Sequence, residues 1–95
     1  MKLNNEKIEI FLKKALEAKQ KLEEFWGPRV QDKSNYIYST LLKIIKEVET
    51  NQYPPRPRRT DLGVAAIKFF DSEDLQYLYN LISDVEELYE LLPDK

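Results

Sequence analysis

Carboxylates are the residue type with the most chemistry to offer in this chain, and they occur in clusters. Glu86-Glu87-Leu88-Tyr89-Glu90 sets three acids at spacings of three and four, which puts them on one side of a helix. Glu6 with Glu9 and Asp71 with Asp74 are further pairs at the same spacing. Such groups can hold a magnesium ion or exchange protons. The usual helpers are missing, because the 95 residues contain no histidine and no cysteine. That removes the commonest general base, the commonest zinc ligand and the thiolate nucleophile. Ser34, Ser39, Ser72 and Ser83 have no base near them in sequence, and two isolated glycines cannot build a phosphate loop.

The 86–90 spacing resembles that of all-α, metal-dependent nucleotide pyrophosphohydrolases of the MazG type. Those enzymes carry a second acidic pair on a following helix, whereas five residues follow Glu90 here. The pairs at Glu6 and Asp71 read more simply as first turns of helices, where acids meet the positive end of the dipole. The expectation is therefore a protein that is not an enzyme and carries no metal and no cofactor.

The second chemical signal is basic. Tyr53-Pro54-Pro55-Arg56-Pro57-Arg58-Arg59 cannot be helix interior, because prolines lack the donor and push their predecessors into extended geometry. Arginine forks suit phosphate and carboxylate alike. Arg56, Arg58 and Arg59, with Tyr53 held extended beside them, are thus candidate contacts for an anion or a partner. The same arginines could instead hold acidic residues of the last helix. Pro54-x-x-Pro57-x-Arg59 also fits the spacing of a polyproline ligand, but reads more simply as a rigid spacer between helices.

Helical periodicity supplies the elements that would position these groups. Ile8, Phe11, Ala15, Ala18, Leu22 and Phe25 alternate steps of three and four over about 5–26, with Leu12, Leu16 and Trp26 beside them. Glu9–Lys13 and Glu17–Lys21 are well-ordered pairs on the outer face. Asn4 or Asn5 can cap the start, and Gly27-Pro28 ends the helix. A second helix is expected over about 32–50, capped by Asp32 or Ser34, with Ile37, Leu41, Ile44 and Val48 as its seam. Residues 62–70 are nearly all apolar, which suits a short buried helix or a strand; Ala65 and Ala66 favour helix over about 61–70. Asp71-Ser72-Glu73-Asp74 opens the last helix, about 73–92.

That last helix carries two apolar stripes. Leu75, Leu78, Ile82, Val85, Tyr89 and Leu92 form one; Tyr77, Leu81, Leu88 and Leu91 form the other, a candidate oligomer interface. Trp26, Tyr36, Tyr53, Tyr77 and Tyr79 are aromatic candidates for exposure. The expected fold is an all-α antiparallel bundle of four helices, three long and one short, in a single domain 1–95 with the proline- and arginine-rich loop at 53–59.

Charge is uneven along the chain. Residues 1–59 hold 13 Lys and Arg against 8 Asp and Glu, while residues 71–95 hold 8 acids against Lys95. No apolar run is long enough to cross a membrane, and Met1-Lys2-Leu3 leads straight into a charged amphipathic stretch, which reads as cytoplasmic. The functional expectation is a protein–protein interaction or assembly module, with another protein or a second copy as partner. A nucleic-acid or phosphate-binding accessory protein is the alternative.

Overall fold

The computed structural model describes residues 2–31, 35–58 and 60–93. Helix α1 spans Lys2–Trp26, α2 Tyr36–Glu49, α3 Leu62–Phe69 and α4 Gln76–Glu90. Among the described residues there is no strand. The result is an all-α bundle, and the 62–69 segment is a helix.

Each helix packs on its neighbours in chain order, and α4 closes the ring onto α1. Glu23 near the end of α1 meets Tyr38 at the start of α2, so this pair runs antiparallel. Phe11 meets Tyr89, and Phe25 meets Phe70, which runs α4 antiparallel to α1 as well. Because α3 is only 8 residues long, it fills one end of the space between α2 and α4. Tyr53 and Arg58 lie at the other, against the end of α4.

The seams form the core. Phe11, Ala15, Ala18 and Leu22 of α1, Ile37, Leu41, Ile44 and Val48 of α2, and Leu78, Ile82, Val85 and Tyr89 of α4 are all buried. Each large side chain so placed contributes roughly 1.5–3 kcal/mol. Leu62, Ala66 and Phe70 continue the core from α3 at a strict spacing of four.

Helix ends depart from the expected ones for local reasons. Gly27 takes φ of 59°, closes α1, and leads into a 3₁₀ turn over Gly27–Gln31 that buries Val30. Asn35 caps α2, its side-chain oxygen accepting from the Tyr38 N–H at 3.0 Å. The expected caps Asp32 and Ser34 lie outside the described residues, whereas Asn4 and Asn5, expected to cap α1, fall inside it because the helix begins at Lys2. The acidic start at Asp71–Asp74 forms a 3₁₀ turn over Glu73–Leu75, and α4 proper begins at Gln76. Ion pairs on α1 are Lys14–Glu17, Lys19–Glu23 and Lys21–Glu24 rather than the two expected.

Candidate protein interaction surface

The arginine loop folds onto the end of α4. Arg58 is 4% exposed, and its guanidinium donates to the carbonyls of Tyr89, Glu90 and Leu92 at 3.1, 2.8 and 3.0 Å. It also donates to Pro54 O at 2.6 Å and Pro93 O at 3.4 Å. The last carbonyls of a helix have no partner within it and carry the negative end of the dipole, so a buried cation there satisfies both. Aromatic faces complete the seat, with the guanidinium carbon 4.9 Å from the Tyr53 ring centre and 6.0 Å from that of Tyr89. Arg56 joins from outside, donating to the carbonyls of Glu90, Leu91 and Leu92.

This corrects the expected exposure of Tyr53 and places two of the three arginines. Tyr53, expected outside, is buried, and its hydroxyl donates to Pro93 O at 3.0 Å. Arg56 and Arg58 are turned onto backbone carbonyls of the same chain rather than presented together as an open clamp. Arg59 lies outside the described residues. Of the acids in 86–90, Glu86 accepts from the Thr60 hydroxyl at 2.6 Å and the Gly63 N–H at 3.1 Å, and Glu90 accepts from the Arg58 N–H at 2.7 Å. Glu86 therefore caps α3 from across the bundle, alongside Thr60, whose hydroxyl accepts from the Leu62 N–H at 3.2 Å. Asp61, at the capping position itself, makes no side-chain cap bond.

Two tyrosine–glutamate bonds tie the other helices. Tyr38 donates to Glu23 at 2.6 Å, joining α2 to α1, and Tyr89 donates to Glu47 at 2.6 Å, joining α4 to α2. Burial first, and then the carboxylate partner, pushes the Tyr38 hydroxyl up to about 12 and the Tyr89 hydroxyl higher still. Glu23 is held below the usual carboxylate range by the bond from Lys19 and then by that from Tyr38.

One surface that remains apolar and open lies on α3. Val64, Ile67 and Phe69 are 59%, 55% and 52% exposed, although α3 is apolar nearly all round. Beside it, Phe25, Trp26, Phe69 and Phe70 form one cluster of rings. Trp26 touches Phe69 edge-on at 6.3 Å and lies 5.6 Å from Phe70, which is also 5.9 Å from Phe25. Phe70 is buried, Trp26 half-buried, and Phe25 and Phe69 exposed.

The second stripe of α4 is divided. Leu81 and Leu88 are partly buried against the core, while Tyr77 and Leu91 are about half exposed. Leu88 and Leu91 line a small apolar groove of about 190 Å³ with Ile10 and Lys7 of α1. Among the other aromatic candidates, Tyr36 is exposed and donates to Thr60 O at 2.7 Å, and Tyr79 is partly buried.

Val64, Ile67 and Phe69 were not singled out from the sequence as surface residues, and Phe25, expected on the α1 seam, is 42% exposed. The signal for the first three was a helix apolar on nearly every side, which a few neighbours do not cover all round. The described residues contain no helix long and apolar enough to cross a membrane, and no group of acids placed to hold a metal ion. The fold and surface thus define a small all-α bundle with a partly open aromatic edge. Comparison with protein-family models, curated proteins and solved structures finds no match.

Proposed function

We propose that this chain is a protein–protein interaction module whose contact surface is the outer face of α3 with the aromatic edge beside it. The observation that supports this reading is the exposure of Phe69 and Phe25 in one cluster of rings with Trp26 and Phe70, together with that of Val64 and Ile67 on the same short helix. Exposed apolar surface of this kind is costly to leave in water and marks contact sites. Aromatic groups supply large contact area with few rotatable bonds, as binding hot spots do. The turn of Arg56 and Arg58 onto backbone carbonyls favours this reading over a nucleic-acid one, because two of the three arginines already serve the fold.

Affinity capture from a lysate of the source organism tests it, with the wild-type chain and the Val64→Glu/Ile67→Glu variant as paired baits. Both positions are exposed, so the variant should keep its helical circular dichroism. The expected result is a partner retained in stoichiometric amount by the wild type and lost by the variant. Identical captured sets from the two baits would refute the surface.

A further inference from the structure

We infer that the α3 face receives a basic, amphipathic helix of another protein; this rests on the interaction reading above and names the chemistry of the partner. Alongside Val64 a groove of about 530 Å³ separates α3 from the C-terminal half of α4. Val64 and Leu91 give it apolar walls, and Asp61 and Glu87 stand exposed at its rim. Ile67, three residues after Val64 and likewise exposed, adds apolar surface on the outer side of α3. The surface is therefore an apolar strip bordered by carboxylates.

Asp61, Asp84 and Glu87 have no ion-pair partner among the described residues. A helix with leucine-like side chains along one stripe and lysine or arginine flanking it would complement both parts, apolar against α3 and cationic against α4.

A second copy of this chain does not offer such a helix. Over Lys2–Trp26, 6 lysines face 5 glutamates, and three of those lysines pair with glutamates of the same helix. Over Tyr36–Glu49, Lys43 and Lys46 are matched by Glu47 and Glu49. On charge, a different chain suits the site better than a second copy does.

Calorimetric titration of the whole protein tests the inference with three synthetic peptides, each about five helical turns long. One carries leucine and lysine spaced to form a basic amphipathic helix, the second replaces each lysine by glutamate, and the third scrambles the first so that no stripe forms. The expected result is binding of the first peptide at least about tenfold tighter than either control. That advantage should be lost both in Val64→Ser/Ile67→Ser and in Asp61→Lys/Glu87→Lys. Equal binding of the scrambled peptide, tighter binding of the acidic one, no binding of any, or indifference to either double substitution would each overturn it. If the lysate partner is still lost on Val64→Glu/Ile67→Glu in those cases, the interaction reading survives and the basic partner does not. Sedimentation velocity on the free chain supplies the remaining check, since a dimer that buries Val64 and Ile67 would overturn the inference in favour of a second copy.

Discussion

The Arg58 guanidinium donates a 3.1 Å hydrogen bond to the carbonyl of Tyr89, and the Tyr89 hydroxyl in turn donates to Glu47. Through these two bonds the proline-rich loop, the end of α4 and the end of α2 become one unit. Removing the guanidinium takes a donor from the carbonyls of Tyr89, Glu90 and Leu92 at a buried site, although Leu92 O still accepts from Arg56 and Tyr89 O from the Leu92 N–H, and hydrogen bonds made by a charged group are worth roughly 1.5–3 kcal/mol each. Arg58→Ala is expected to destabilise the fold by about 3 kcal/mol, or on the order of 12–24 °C in melting temperature. Arg58→Lys keeps the charge at the helix end but not the fork, and should lie between the two. A thermal melt in which Arg58→Ala matches the wild type would show that the seat carries no stability.

Glu86 and Gly63 form the second coupling. A side-chain carbon added at Gly63 would meet the Glu86 Oε1 atom at 2.6 Å, so the carboxylate must move and lose its bond to the Gly63 N–H. Glycine within a helix otherwise costs about 1 kcal/mol relative to alanine. Gly63→Ala should therefore stabilise the Glu86→Ala background by about 1 kcal/mol and give little or no gain in the wild type. Urea unfolding of the four proteins in this cycle measures the difference; additive effects would mean that Glu86 does not hold the start of α3.

Alkaline pH should weaken the bundle in a defined window. Tyr38 titrates near 10 when unfolded and at about 12 when folded, so its contribution is complete below pH 10. Above that the unfolded chain releases the proton first, and stability falls as pH rises toward 12. Tyr89, raised in the same direction, adds to the slope. Denaturation midpoints taken between pH 8 and pH 11 should decline, and Tyr38→Phe should make the decline shallower. An unchanged slope in that variant would exclude the Tyr38–Glu23 bond as a source.

The two halves of the outer α4 stripe should respond differently to charge. Leu88→Glu introduces a carboxylate at a partly buried position packed on the core and is expected to cost about 1–3 kcal/mol. Leu91→Glu and Tyr77→Glu fall on exposed positions and should leave the melting temperature within a few degrees. If the chain self-associates through this stripe, the latter two will shift its sedimentation coefficient without unfolding it. Sedimentation and thermal melts on the same three variants separate packing from assembly.

The sequence by itself determined the helices and most of the core. Phe11, Ala15, Ala18 and Leu22, or Leu78, Ile82 and Val85, need only a local repeat of three and four to fall on one face, and a buried face follows from their side chains. The same local logic marked Gly27 as a terminus. Tertiary structure decided where Arg58 and Tyr53 point, because all the carbonyls named as accepting from them, apart from Pro54 O, lie more than thirty residues away. It likewise decided that Glu86 caps α3 in place of Asp61, and that Val64, Ile67 and Phe69 face outward. Periodicity records which side chains share a face of a helix. Whether a neighbour covers that face depends on how the helices assemble, and in this bundle α3 is covered on one side only.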